Sequence, residues 1–112
     1  LVEDEKIVLE VTAELIGFLG HQSLTAASIA EARVMLQKYA PIELVLLDRS
    51  MPDGDALDLV PELKRLQPAA KIVVCSGDPL DISKTTEIDD YLAKPFTLED
   101  LQKILHRYLP DR

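Results

Sequence analysis

Short apolar runs alternate along this chain with stretches in which apolar residues recur every three or four positions, and this alternation narrows the possible folds more than any other feature. Leu1-Val2 reads as the end of a strand. Ile7, Val8, Val11, Leu15, Phe18 and Leu19 follow at helical spacing, with Gly20 placed to stop the helix. Gln22 to Ala27 is a weak strand candidate. Ser28 and Glu31 form a capping-box pattern ahead of Ile29, Ala32, Met35, Leu36 and Tyr39, and Pro41 closes that helix. Leu44 to Leu47 and Ile72 to Cys75 are unbroken apolar runs, the pattern of strands covered on both faces. Between them Leu57, Val60, Leu63 and Leu66 mark a further helix, which Pro61 forces either to start late or to kink. Tyr91-Leu92-Ala93 is a short strand, and Thr97 with Asp100 caps a last helix bearing Leu98, Leu101, Ile104, Leu105 and Tyr108. Strands and helices in strict turn predict a parallel sheet with helices on both faces. In such folds the functional crevice lies beyond the carboxyl ends of the strands.

The residues that follow each strand are therefore the ones to inspect. Glu3 and Asp4 follow the first, Asp48 the third, Ser76 the fourth and Lys94 the fifth. Each has an ordinary structural explanation when taken singly. An aspartate after a strand is commonly a turn or cap residue, a lone lysine is commonly solvated, and Glu3-Asp4-Glu5 suits the positive end of a helix beginning near Lys6. Their placement at successive strand ends is what sets them apart. Three carboxylates gathered in one crevice repel one another, and a hard divalent cation with oxygen ligands, Mg²⁺, is the natural counterweight. Lys94 adds a fixed positive charge and Ser76 a hydroxyl donor. This set suits phosphoryl transfer to a carboxylate, with Asp48 as nucleophile and the cation and Lys94 offsetting charge on the phosphoryl oxygens.

Size and composition exclude several other classes. A chain of 112 residues with 47% apolar content supports one globular domain, residues 1–112. Its apolar runs are too short to span a bilayer, so no membrane insertion is expected. The start on Leu1 without a leader reads as a piece excised from a longer protein. A net charge of −8 repels nucleic-acid backbones, so direct nucleic-acid binding is not expected. Cys75 is the only cysteine, which rules out an internal disulfide and fits a cytoplasmic setting; in its apolar run it reads as a small core residue. There is no Gly-rich phosphate loop and no Ser/His/Asp arrangement, so a turnover enzyme is disfavoured. His21 and His106 read as surface histidines.

The segments Leu1-Val2-Glu3-Asp4-Glu5, Leu46-Leu47-Asp48-Arg49-Ser50-Met51-Pro52-Asp53-Gly54-Asp55, Val73-Val74-Cys75-Ser76-Gly77 and Tyr91-Leu92-Ala93-Lys94-Pro95-Phe96 together resemble the receiver domains of two-component signalling, in that family's order and over nearly the whole chain. The resemblance implies a flavodoxin-like, doubly wound α/β fold with a five-stranded parallel sheet in the order 2-1-3-4-5. It implies a phosphoacceptor at Asp48, and Mg²⁺ held by Asp4, Asp48 and the Ser50 backbone carbonyl, with Glu3 acting through water. Ser76 and Lys94 would contact the phosphoryl group, Lys94-Pro95 would be a cis peptide, and Ser76 with Tyr91 would form the switch. A half-buried strand aromatic is the equal alternative for Tyr91. The implied partners are a histidine kinase or histidine phosphotransfer domain, with a homodimer as a further option. The alternative function is a degenerate receiver that serves only as a protein-interaction module.

The sequence also departs from the family pattern. The first strand is nearly missing, Ala56 stands where glycine is usual, and Pro61 interrupts a helix. Tyr91 follows Ser76 by only fifteen positions. Residues Asp78 to Glu87 have little helical periodicity, so a short or irregular fourth helix is expected there. The parent protein is left open: a stand-alone receiver, one preceding a DNA-binding domain, or, by the style of Cys75-Ser76-Gly77, the receiver of a hybrid sensor histidine kinase.

Overall fold

The computed structural model describes residues 1–77 and 87–109. In chain order its strands are β1 (Leu44–Asp48), β2 (Ser50–Met51), β3 (Gly54–Asp55), β4 (Lys71–Ser76) and β5 (Asp90–Ala93). Its helices are α1 (Lys6–Phe18), α2 (Ile29–Lys38), α3 (Val60–Leu66) and α4 (Leu98–Tyr108). β1, β4 and β5 form a parallel sheet in that order, with Leu44 opposite Lys71 and Val73 opposite Asp90. Val2 extends it by single parallel bridges to Leu47 on one side and Ala26 on the other. The flavodoxin-like order is therefore present as Ala26, Val2, β1, β4 and β5, but its first two positions are one residue deep. The strand expected over Gln22 to Ala27 contracts to Ala26, because residues 22–25 are exposed and Val2 offers Ala26 a single pairing site. The helix expected at Asp78 to Glu87 falls on residues 78–86, outside the described residues, and Glu87 is in a turn.

Strand alternation divides the core between the two faces of the sheet. Val45, Leu47, Ile72 and Val74 pack with Ile29 and Leu36 of α2 and Leu63 of α3. Leu46, Val73, Cys75 and Leu92 pack with Ile16 of α1 and Leu101, Ile104 and Leu105 of α4. Both faces are covered, which is why these strands read as continuous apolar runs. A cavity of about 1250 Å³ opens between Val2, Ile16, Leu36, Leu46 and Leu63.

The helix ends follow local chemistry. Gly20 leaves α1 with φ +93°, a conformation that favours glycine. A 3₁₀ turn over Ala56–Leu59 precedes α3, so Pro61 sits in the first helical turn, where its missing N–H costs no intrahelical bond. This settles the expected choice in favour of a late start. Thr97 and Asp100 cap α4 reciprocally. On α1, spacing did not reveal which face is buried. Thr12 and Ile16 are buried, whereas Ile7, Val11 and Phe18 stand 76%, 49% and 84% exposed. Apolar residues surround much of that helix, so periodicity alone does not select a face.

Candidate functional site

The parallel register places the carboxyl ends of the strands side by side. Asp48 ends β1, Ser76 ends β4, Lys94 follows β5, and Glu3 and Asp4 follow Val2. Lys94 Nζ donates to Asp48 Oδ2 at 3.0 Å and to both Glu3 carboxylate oxygens at 3.2 Å. Glu3, Asp48 and Ser76 are buried, and Asp4 is exposed at the rim. One oxygen from each of Glu3, Asp4 and Asp48 lies within 4.8 Å of the others, the only such group among the described residues. An all-oxygen set of this kind fits a hard divalent cation. With the carboxylates ionised, three negative charges against one ammonium leave an excess of two, which such a cation would balance.

The electrostatics bear the mark of that crowding. Burial, reinforced by the neighbouring Asp48, lifts the Glu3 carboxyl from its ordinary 4.5 to about 7. Burial pulls Lys94 down, but its hydrogen bonds to Asp48 and Glu3 outweigh this and hold it above its ordinary value. Burial also pushes the Cys75 thiol up to about 12. It should therefore react negligibly with a thiol reagent at pH 8 until the protein is unfolded in urea. Full modification of the native protein within minutes would contradict that placement.

Ser76 and Tyr91 meet in the structure. The Ser76 carbonyl accepts the Tyr91 hydroxyl at 2.9 Å and the Lys94 backbone N–H at 2.9 Å. Lys94-Pro95 is a cis peptide, as the resemblance implied. Ser50 begins β2, two residues past Asp48, with an exposed side chain and Asp55 opposite it. His106 is exposed and His21 half-buried, and neither belongs to the group formed by Glu3, Asp4 and Asp48.

Asp53 has a role that its place in the sequence does not announce. Its carboxylate accepts from the backbone of Ile29 at 2.9 Å and Ala30 at 3.0 Å, across to the start of α2. A capping signal was visible at Ser28, but nothing local shows that a second cap arrives from a distant loop. Arg49 and Asp55 likewise pair in a way that spacing does not reveal. Arg49 Nε lies 3.3 Å from Asp55 Oδ2, and Asp55 Oδ1 caps the 3₁₀ turn through Leu57 N–H at 2.9 Å.

Comparison with known proteins gives a consistent picture. The family profile described as the response regulator receiver domain matches residues 1–106. The transcriptional regulatory protein DpiA of Escherichia coli K12 is 34% identical over 116 residues, covering 96% of this chain and 50% of DpiA. The chain thus spans about half the length of that relative. Among solved structures, a CheY-like receiver domain from Methylobacillus flagellatus is 30% identical with a TM-score of 0.84, covering 96% of this chain and 93% of that one. The response regulator TrrA of Thermotoga maritima, solved in complex with Mg²⁺-BeF, is 25% identical with a TM-score of 0.85, covering 96% and 95%.

Proposed function

Because the chain belongs to the response regulator receiver domain family, we propose that it is a phosphoacceptor switch whose Asp48 takes a phosphoryl group from a histidine kinase or histidine phosphotransfer domain. The observation that carries this reading is the Lys94 ammonium bound to both Asp48 and Glu3 at the strand ends. An Asp48 oxygen bonds to phosphorus as the bond from phosphorus to the donor's imidazole nitrogen breaks, and the electron pair leaves with the imidazole. Lys94 lies where it can turn from the carboxylates to the oxygens of the arriving group. Asp4, Asp48 and the Ser50 carbonyl would hold Mg²⁺, with Glu3 acting through water. Bound there, the cation supplies charge neutralisation to the phosphoryl oxygens.

Ser76 and Tyr91 form the proposed relay. Support comes from the bond between the Tyr91 hydroxyl and the Ser76 carbonyl, since a shift of Ser76 toward a phosphoryl group alters that bond directly. The chain's excess of acidic residues supports a protein partner in preference to a nucleic acid.

Intact-mass spectrometry after incubation with Mg²⁺ and acetyl phosphate tests the reading. A phosphoryl-sized gain is expected that requires Mg²⁺ and is lost completely in Asp48→Asn. Absence of both the gain and Mg²⁺ binding would sink the proposal and leave the interaction-module reading. A gain that survives in Asp48→Asn would move the acceptor to another residue.

A further inference from the structure

Asp53 is exposed, yet it holds two elements together. The first turn of a helix has N–H groups without intrahelical partners. In α2 Ser28 Oγ accepts from Glu31 N–H at 3.1 Å, and the Ile29 and Ala30 N–H groups both go to the Asp53 carboxylate. The charge suits the positive end of the helix, and these two backbone donors hold the Asp53 carboxyl below its ordinary range. The neighbouring residue confirms close contact: Gly54 has φ +143°, and a Cβ there would lie 3.4 Å from Ile29 Cδ1.

The segment so held is the one that leaves Asp48. Met51 pairs with Gly54 and Ser50 with Asp55, so β2 and β3 make a tight hairpin with Asp53 in its turn. Its base is held by the Arg49–Asp55 pair and by Ala56 N–H donating to the Arg49 carbonyl at 2.8 Å. Its tip is held by Asp53. Ser50 lies between the two anchors. A carbonyl ligand on so short a hairpin is only as well placed as the hairpin's attachment to something rigid.

We propose that Asp53 is a positioning residue for the phosphoacceptor loop: by tying the hairpin turn to the N-terminus of α2, it fixes the Ser50 carbonyl for the cation bound beside Asp48. This rests on the reading of the site as a Mg²⁺-dependent phosphoacceptor. It gives α2 a mechanical connection to the site that no neighbour in sequence supplies.

A matched pair of variants separates positioning from simple helix capping. Ser28→Ala removes a cap from the same helix end and leaves the hairpin untouched. Asp53→Ala removes a cap and also frees the hairpin. Both should lower the urea midpoint, but only Asp53→Ala should weaken Mg²⁺ binding in calorimetric titration of the metal alone, on the order of tenfold. Asp53→Asn, which keeps one acceptor, should fall between Asp53→Ala and the parent, and it carries the test if Asp53→Ala does not fold. Equal Mg²⁺ affinity in the parent, Ser28→Ala and both Asp53 variants would overturn the proposal while leaving the phosphoacceptor reading intact. No Mg²⁺ binding by the parent would remove that reading itself.

Discussion

Lys94→Met should destabilise the fold by roughly 3 kcal/mol at pH 8 in the presence of EDTA, and by much less at pH 5. Methionine keeps most of the apolar stem and removes the ammonium that now stands 3.0 Å from Asp48 and 3.2 Å from Glu3. Two buried carboxylates would then face each other without compensation. The pH dependence follows from Glu3, whose carboxyl titrates near 7 in the folded chain against an ordinary 4.5. Between those values the unfolded chain has released this proton and the folded chain has kept it, so Glu3 makes stability fall as pH rises from about 4.5 through about 7. Lys94 opposes that rise in Glu3, so its removal should extend the fall toward higher pH. At pH 5 a protonated Glu3 can hydrogen-bond to Asp48 instead of repelling it. Urea denaturation at the two pH values, with and without Mg²⁺, measures the effect, and Mg²⁺ should restore part of the loss at pH 8. A loss that is the same at both pH values would mean that Lys94 stabilises through packing.

Gln67→Ala should cost about 3 kcal/mol, a large penalty for a polar residue remote from the carboxylates. Gln67 is buried at the end of α3, and its amide nitrogen donates to the carbonyls of Leu36 at 3.0 Å and Tyr39 at 2.7 Å. Its amide oxygen accepts the Ile42 N–H at 3.1 Å. A single side chain thus satisfies three backbone groups where α2 ends and the chain turns toward β1. Truncation would leave those groups poorly paired and open a gap beneath them. The urea midpoint should fall with little change in slope, while Mg²⁺ affinity stays that of the parent. A cost under about 1 kcal/mol would mean that water replaces all three bonds.

The two variants illustrate what could be read before the fold was known. Lys94 was legible because it follows a recognisable strand, and parallel sheets gather such positions at one edge. Glu3, Asp4, Asp48 and Ser76 were found by the same rule, with the family resemblance supporting it. Gln67 and Asp53 were invisible because their partners, Leu36 and Tyr39 for one and Ile29 and Ala30 for the other, lie more than twenty positions away. No local pattern encodes a side chain that caps a remote helix or satisfies a distant loop. The buried face of α1 was hidden for a different reason. Ile7, Val11 and Phe18 are exposed while the polar Thr12 is buried beside Ile16, so hydropathy gives no basis for choosing between faces.

Local chemistry by itself therefore determined the main elements and their order: apolar runs long enough for strands, Ser28 and Thr97 to begin helices, and Gly20 to end one. It also determined which side chains stand at the strand ends, since chain order fixes that wherever the sheet is parallel. The start of the helix at Pro61 and the short hairpin of β2 and β3 came only with the structure. The tertiary structure decided the rest. It set how deep the sheet is at Val2 and Ala26, which face of α1 meets the core, and how Lys94 divides its bonds between Asp48 and Glu3. It also brought Asp53 to α2. These depend on distances between residues far apart in the chain, and packing of the two helical layers against the sheet is what establishes those distances.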